Sequence, residues 1–469
     1  MLPAAWSLVF MMFGIYNPGI QWNWSDQIQT PCSCDSLASN KSWTFSKIAS
    51  TVVSEWSLVC GDSWKGSTII SIQMVGALLG SCSGGQIGDR FGRKFSIHGG
   101  AALLVITNFI AVFSVSWGMY AAVRFFIGFA AGSMLSTIPV YCLEFVPGSW
   151  RGITGTFPFW SLSTLAFSIC VMILRNWRYV HLATAFFALL SFLPVFWLPE
   201  SMRILTIHGN LKGANKVVQK IARLNRKPVP DTSVMATIAE VERKSLMERP
   251  SYNYRDLFHS SIRRYTIVMA MMWLTLTISN NTVGYGLKAF TGDYFVNFII
   301  FSALPIPARL FVVILTSKVG RKTILAVSMC LACVFSFLIV GIQLLAPAEV
   351  VGTSTIALAF ASNMIIEIGW AMSPLIVAEL FPTGVRNMAY AFCNIHARIG
   401  SIIAPYMLPN HSLPIWVLFL VIGVLILICF VSVLTLPESK GWVLQENLMV
   451  KAPVEAIAET KDSEVASNV

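Results

Sequence analysis

Apolar stretches of about 20 residues recur along almost the whole of this 469-residue sequence. A transmembrane β-barrel would instead show segments of roughly ten residues with alternating hydrophobicity. Charged residues make up 12% of the chain, about half the share of a soluble domain. The sequence therefore predicts an all-α membrane protein and excludes a soluble enzyme and a disordered chain.

Twelve membrane spans are predicted from the hydrophobic pattern. They cover residues 1–16, 67–87, 95–115, 118–143, 153–173, 179–198, 264–285, 293–316, 323–344, 351–378, 388–409 and 414–436. The first is short for a bilayer, so we expect a truncated or partial first helix. It has no basic leading region and no small-residue cleavage site, which argues against a signal peptide.

The basic residues are distributed unequally between the two sides of the membrane. If the loop 88–95 is inside, 24 of the 33 Lys and Arg residues share that side, six lie on the other, and three lie within spans: Arg124, Arg309 and Arg398. The positive-inside rule then places the linker 199–263 and the tail 437–469 in the cytoplasm. The predicted domains are an N-terminal bundle over 1–198 and a C-terminal bundle over 264–436.

An extracellular loop is predicted over residues 17–65 of the N-terminal domain. It carries two glycosylation sequons, at Asn23 and Asn40, as expected of an extracellular segment. It also carries Cys32, Cys34 and Cys60. Three cysteines allow one disulfide, which would join Cys60 to either of the other two, and the sequence leaves that choice open.

The two halves of the chain repeat each other in order. The recurring pairs are Gly92-Arg93-Lys94 with Gly320-Arg321-Lys322, Glu144 and Arg151 with Glu379 and Arg386, and Leu198-Pro199-Glu200-Ser201 with Leu436-Pro437-Glu438-Ser439. Both members of each pair fall on the same side, which predicts a parallel repeat of six spans plus six. Carriers that rock two halves around a midplane site are built in this way.

Two further patterns concern helices. Glycines every four positions predict close packing of the second and fourth spans: Gly76, Gly80, Gly84, Gly88, Gly128 and Gly132. The stretch from Leu211 to Leu224 predicts a short amphipathic helix in the linker. This helix is either a solvated linker lying against the membrane or a regulatory docking site.

Several motifs resemble known transporters. Residues 85–94 match the signature loop of the major facilitator superfamily. Residues 55–60, 199–201 and 378–383, together with Arg386, resemble the organic cation/anion/zwitterion transporter family, solute carrier family 22. The resemblance covers essentially the whole chain. It implies a major facilitator fold of two six-helix bundles with a cytoplasmic loop helix between them.

Seven charged residues lie at the predicted cytoplasmic ends of spans: Asp89, Arg93, Glu144, Arg151, Arg321, Glu379 and Arg386. Opposite charges there can bridge neighbouring helices in one state and separate in another, so we interpret them as a gate. The alternative is that they are ordinary end charges that reach water. Ser317 stands where the first copy has Asp89, which predicts an unequal gate.

Arginines within spans indicate a binding site, because each costs roughly 2.5–3.5 kcal/mol to insert. Arg398 shares a face with Asn394 and Ser401, and Arg309 follows Pro305 and Pro307. In the resembled family, basic residues at these two positions are typical of the anion-handling branch, which implies a substrate carboxylate held by Arg309 and Arg398.

Glu367 is the acidic counterpart within the spans. It could pair with an arginine such as Arg398, bind the cationic group of a zwitterion, or carry a coupling proton. The choice among these stays open at the level of sequence.

Aromatic residues complete the predicted site. The resemblance implies roles for Trp370 and Tyr285, and Trp160 and Trp273 could wall a pocket for a flat organic ion. Simple packing is the alternative for each of them.

The function expected from these features is secondary-active or facilitative transport of small organic ions, by alternating access, in the plasma membrane. Organic anions or zwitterions with a carboxylate are favoured as substrates. An organic cation transporter and a transport-inactive, ligand-binding membrane protein are the alternatives. No metal-ligand spacing, catalytic triad, P-loop or basic stripe with stacking aromatics is seen, so no metal, cofactor, enzymatic activity or nucleic-acid partner is expected. The expected partners are the organic ion and membrane lipid, and the oligomeric state is not predicted.

Overall fold

The computed structural model describes residues 1–22, 28–29, 43–146, 157–228, 253–407 and 414–439. Five residues singled out from the sequence fall outside these ranges. They are Asn23, Cys32, Cys34, Asn40 and Arg151. Cys60 is disulfide-bonded.

Long helices account for most of the described chain. The first bundle comprises α1 Leu2–Gly14, α2 Ser63–Phe91, α3 Arg93–Val112, α4 Trp117–Phe145, α5 Phe159–Leu174 and α6 Trp177–Phe192. Two linker helices follow, α7 Met202–Ile207 and α8 Leu211–Leu224. The second bundle comprises α9 Arg263–Gly286, α10 Tyr294–Ala303, α11 Pro305–Lys318, α12 Arg321–Leu345, α13 Ala348–Leu380, α14 Thr383–Ile403 and α15 Ile415–Leu434.

Shorter elements connect these helices. A small antiparallel sheet of Ile20–Trp22, Ile28–Gln29 and Trp43–Phe45 has its first strand in the middle. A helical turn covers Val52–Glu55. Turns of 3₁₀-helix cover Cys60–Asp62, Leu193–Phe196, Tyr254–Phe258, Leu287–Ala289 and Ala404–Met407.

Eight helical segments in the described ranges are long and apolar enough to cross a membrane, and α1 and α5 are shorter apolar helices. The remaining two predicted spans correspond to α9 and α14, which carry more polar residues. The prediction of an all-α, multi-pass membrane protein is confirmed, with the small sheet confined to the loop before α2.

Helix boundaries differ from several of the predicted spans. The span predicted over 293–316 is two helices, α10 and α11, which meet at Leu304. Pro305 and Pro307 lack the N–H groups that would continue the hydrogen-bond ladder. Helix α14 begins at Thr383, five residues before the predicted start, and α2 and α13 extend beyond their apolar cores into the polar ends.

Helices α2 and α4 pack along their glycines, as the spacing predicts. A Cβ atom on Gly76 or Gly80 would overlap backbone atoms of Phe125 and Phe129 on α4. Conversely, a Cβ on Gly128 or Gly132 would overlap backbone atoms of α2. These overlaps show that the two backbones are in direct contact.

We call the end of the bundles that carries Arg93 and Arg321 the basic end, and the opposite end, next to residues 43–62, the loop end. At the basic end each bundle has the same connection. Glu200 accepts hydrogen bonds from the backbone N–H of Lys94 at 3.1 and 3.2 Å, and Glu438 accepts one from Arg321 N–H at 2.7 Å. Glu200 therefore caps the N-terminus of α3, and Glu438 caps the N-terminus of α12.

Gly92 is required by this connection. Its φ of +105° lies in the region that favours glycine, and a Cβ there would overlap the Glu200 carboxylate. A Cβ on Gly320 would overlap the Glu438 carboxylate in the same way. The repeated Gly-Arg-Lys and Pro-Glu-Ser motifs are thus two halves of one contact, made once in each bundle.

The loop before α2 is fastened to the first bundle. Glu55 Oε1 and Arg178 Nη2 form an ion pair at 2.9 Å. Trp56 packs against Tyr120 and Trp177, with ring centroids 5.4 and 5.5 Å apart. The motif at residues 55–60 therefore holds the loop against α4 and α6.

Candidate functional site

A small cavity of about 50 Å³ lies between the two bundles. Helices α1, α5, α9, α10 and α13 contribute to it, as does the first residue of α11. Its lining residues are Val9, Met12, Trp160, Ser161, Thr164, Asn280, Asn281, Phe298, Phe301, Ser302, Pro305 and Glu367. Of the predicted site residues, Trp160 and Glu367 therefore face this space.

Glu367 is the carboxylate of the cavity, and it is 6% exposed. Asn280 Nδ2 donates a hydrogen bond to its Oε1 at 2.9 Å. Arg309 donates to its Oε2 from Nη2 at 3.0 Å and from Nε at 3.2 Å. Both carboxylate oxygens thus have partners, which an ionised carboxylate buried this deeply requires.

Arg309 reaches Glu367 because of the break between α10 and α11. It lies in the first turn and a half of α11, just after Pro305 and Pro307. Of the alternatives left open for Glu367, the structure has an ion pair, but with Arg309 and not with Arg398. The spacing on α13 alone could not distinguish the two arginines.

Arg398 lies on α14 and is half-buried. Its Nε is buried without a hydrogen-bond partner, and within the described ranges it forms no ion pair. One turn along the same face, Ser401 accepts a hydrogen bond from the cavity residue Asn281 at 2.9 Å. Asn394 lies one helical turn before Arg398 on the same face and is half-buried. Arg398 therefore lies next to the cavity wall, displaced toward the basic end, with no carboxylate paired to it among the described residues.

An aromatic cluster lies on the second bundle toward the basic end. The ring of Trp273 is 5.4 Å from that of Trp370 and 5.2 Å from that of Tyr390. Trp370 and Trp273 therefore lie together, but neither is among the lining residues of the cavity.

Tyr285 is placed differently from the other predicted residues. It is 2% exposed and is not among the lining residues of the cavity. A ligand in the cavity as it stands would not reach it.

Arg124 was predicted to lie within a span, but no role was predicted for it. It is fully buried on α4. Its Nη2 donates to the Ser7 carbonyl at 3.1 Å and to Gln73 Oε1, and Phe10 lies 4.8 Å from the guanidinium. Its Nε and Nη1 have no partner in the described part of the molecule. The signal was the position of a charged residue within a predicted span.

Asn280 and Asn281 were also missed. Two adjacent amides within a predicted span are the signal that could have identified them. Asn280 orients Glu367, and Asn281 connects the cavity to the face of α14 that carries Arg398.

Five of the seven predicted gate charges form ion pairs, and each pair lies within one bundle. Arg93 lies 2.6 Å from Asp89 and 3.7 Å from Glu144, and Arg321 lies 3.2 Å from Glu379. Arg386 Nε donates to the Phe381 carbonyl at 3.2 Å. Among the described residues, ion pairs join Arg93 to two carboxylates and Arg321 to one. That these residues act as a gate, and an unequal one, stays a prediction.

At the loop end the two bundles are in contact. Tyr294 Oη donates to the Met12 carbonyl at 2.9 Å, and its ring stacks on Tyr16 at 4.1 Å. Ser67 Oγ donates to the Pro405 carbonyl at 3.0 Å and Ser71 Oγ to the Ile402 carbonyl at 2.9 Å. The cavity is therefore closed off from the loop end by direct contacts between the bundles.

Comparison with known proteins gives consistent results. Residues 32–447 match the sugar (and other) transporter family. The chain is 28% identical over 412 residues to human organic cation/carnitine transporter 2, covering 87% of this chain and 73% of that protein. It is 29% identical over 413 residues to mouse solute carrier family 22 member 21, covering 87% and 72%. The resemblance to solute carrier family 22 is confirmed.

The fold matches solved structures as well. The inward open conformation of the xylose transporter XylE from E. coli aligns with a TM-score of 0.62 at 16% identity, over 94% of this chain and 97% of that one. Its partially occluded inward open conformation gives 0.64 at 16% identity, over 94% and 99%. The predicted major facilitator fold of two six-helix bundles is confirmed.

Proposed function

Because this chain belongs to the sugar (and other) transporter family, we propose that it carries small organic anions or zwitterions with a carboxylate across the membrane by alternating access. It is an integral, multi-pass membrane transporter of organic solutes and not an enzyme. The plasma membrane is its expected location. The preference for a carboxylate rests on the charges inside the bundles.

The charges between the bundle ends carry this proposal. Within the described ranges they are three guanidinium groups, on Arg124, Arg309 and Arg398, against the one carboxylate of Glu367, a formal balance of 3 − 1 = +2. Interactions between charges are several-fold stronger in a low-dielectric interior than in water. A site with this balance attracts a carboxylate and repels a simple cation.

Arg398 is the residue best placed to bind that carboxylate. Arg309 is already engaged by Glu367, whereas Arg398 has no ion-pair partner in the described chain. A substrate carboxylate can therefore bind Arg398 without separating the existing pair. The planar guanidinium suits two parallel hydrogen bonds to a carboxylate.

Substrate entry requires movement of the bundles. The cavity of about 50 Å³ is far below the roughly 300–1,000 Å³ of pockets that enclose small molecules. The bundles meet at the loop end, while the gate ion pairs at the basic end each stay within one bundle. Opening between the bundles at the basic end would join the cavity to the aromatic cluster of Trp273, Trp370 and Tyr390, where a flat organic ion can stack.

The test is uptake into proteoliposomes that contain the full chain. We expect saturable uptake of a labelled organic carboxylate, falling roughly 10- to 100-fold in Arg398→Ala, as for loss of a hydrogen bond to a charged group. Arg398→Lys should retain part of the transport activity, because it keeps the positive charge but lacks the planar guanidinium that makes two parallel hydrogen bonds. Arg255→Ala removes an equal charge from an exposed position outside the spans and serves as the matched control.

Two outcomes would replace the proposal. Uptake of a labelled organic cation that is lost in Glu367→Gln would favour a cation transporter with Glu367 as counter-ion, a reading that the names of the cation/carnitine relatives and the place of Glu367 in the cavity support. Binding of the carboxylate without uptake would favour a ligand-binding protein that does not transport.

A further inference from the structure

The chain that follows the first bundle is strongly basic. Between Ser201 and Pro228 it contains seven Lys and Arg residues and no Asp or Glu. Helix α8 lies inside this segment and is amphipathic, as the sequence predicts. None of the substrate-site residues lies here, so this feature is independent of the proposed transport function.

One face of α8 is occupied by its own protein. Ala214, Val217 and Ala222 are buried, and α8 packs against the preceding helix α7. The apolar face of α8 is therefore buried within the protein, and its basic face is available to contact a ligand.

The basic face forms a groove. Lys216, Lys220 and Arg223 are spaced by four and three residues, which places them in a row on the helix. With Gln219 and Leu224 they line a surface groove of about 510 Å³. Within the described ranges, none of these three cations forms an ion pair with a carboxylate.

The groove lies at the level where the first bundle leaves the membrane. Lys220 Nζ donates a hydrogen bond to the carbonyl of Trp197, just after the 3₁₀ turn that extends α6. Phe196 and Trp197 are 74% and 67% exposed, and Leu224 at the end of the groove is 75% exposed. Exposed aromatic side chains at a helix end are typical of the membrane–water interface. The cations therefore lie at the end of the last helix of the first bundle, with exposed apolar side chains beside them.

We propose that the groove of Lys216, Lys220 and Arg223 binds the headgroup of an anionic phospholipid in the cytoplasmic leaflet. The three cations contact the phosphate and carboxylate oxygens of the headgroup, and Leu224, Phe196 and Trp197 contact the start of the acyl chains. Clusters of Lys and Arg directly after a membrane helix are attracted to the negative surface of that leaflet. The exposed apolar side chains favour a lipid over a soluble phosphate as the occupant.

The test uses the full chain reconstituted in phosphatidylcholine bilayers. Electron spin resonance of spin-labelled lipids gives the preference of the protein for phosphatidylserine over phosphatidylcholine. In the triple variant Lys216→Gln, Lys220→Gln, Arg223→Gln we expect this preference to fall at least roughly fivefold, the effect of one juxtamembrane charge. The variant should keep the thermal unfolding midpoint of the unmodified protein, because all three side chains are exposed.

The matched control is the triple variant Lys212→Gln, Arg226→Gln, Lys227→Gln. It removes three exposed charges from the same segment but not from the groove, and it should keep the preference. An equal loss in both variants would mean diffuse attraction without a site, and no loss in either would mean that the groove does not contact lipid. Displacement of the spin-labelled lipid by an equal concentration of glycerophosphoserine would identify a soluble phosphate as the ligand. Each of these three results would overturn the proposal.

Discussion

At the scale of single residues, Glu367 organises the centre of the molecule. One of its oxygens accepts from Asn280 and the other from Arg309, so that an amide and a guanidinium share one buried carboxylate. A carboxylate in a membrane interior is tolerated when it is paired in this way. The pair also removes Arg309 from competition for a substrate anion, which leaves that role to Arg398.

The Arg309–Glu367 pair predicts non-additive effects on stability. Arg309→Met should lower the free energy of unfolding by about 3–5 kcal/mol, because it leaves Glu367 buried without its cation. The double variant Arg309→Met, Glu367→Gln should lose much less than the sum of the two single variants. Thermal unfolding of the purified proteins measures these differences. Additive losses would show that the two side chains do not depend on each other.

At the scale of helices, two devices shape the bundles. Glycines bring α2 and α4 into backbone contact in the first bundle, and prolines divide α10 from α11 in the second. The first device creates a smooth, close interface that keeps two helices together. The second places Arg309 at the start of a helix, from where it reaches Glu367 on α13.

Gly80 and Gly85 on α2 provide a matched pair of substitutions. Gly80→Ala should destabilise the protein by about 1–3 kcal/mol, because its Cβ would overlap backbone atoms of Phe129. Gly85→Ala should be neutral or slightly stabilising, since a Cβ there meets nothing within 4 Å. The yield of folded protein and its thermal unfolding midpoint measure the difference. Equal behaviour of the two variants would contradict the close packing of α2 on α4.

At the scale of the whole molecule, the two bundles are held together at the loop end by neutral contacts and are organised at the basic end by charged ones. The loop-end contacts are aromatic stacking and hydroxyl-to-carbonyl hydrogen bonds. The basic-end contacts are ion pairs and carboxylate caps repeated in each bundle. Carriers that rock about a central site need contacts at each end that can form and break as units.

Tyr294→Phe should favour opening at the loop end. It removes the hydrogen bond from Tyr294 to the Met12 carbonyl, worth about 0.5–1.5 kcal/mol, and should raise the open population roughly two- to tenfold. The measurement is the rate at which Ser161→Cys, a cavity position, reacts with a membrane-impermeant thiol reagent added on the loop side.

The control for this experiment is Tyr406→Phe. Tyr406 also joins the bundles, through Thr68 at 3.3 Å, but it is 54% exposed, so water can replace its partner at little cost. We expect its effect on the labelling rate to be smaller. A rate unchanged by Tyr294→Phe would show that this contact does not hold the loop end closed.

The sequence alone determined the architecture of this protein, because the relevant signals are local or repeated. Hydropathy gave the twelve spans, and the recurrence of Gly-Arg-Lys and Pro-Glu-Ser motifs gave the parallel repeat. The linker helix was predicted with the bounds that the structure has, Leu211 to Leu224. Each of these conclusions depends on short windows of residues and not on which helices become neighbours.

Only the tertiary structure decided which residues meet. It paired Glu367 with Arg309, left Arg398 without an ion pair among the described residues, and buried Tyr285 away from the cavity lining. A helical pattern shows which residues share a face, but not which face of another helix lies opposite. That choice depends on how the helices pack together in three dimensions, for example on the break before Pro305 that brings Arg309 to Glu367.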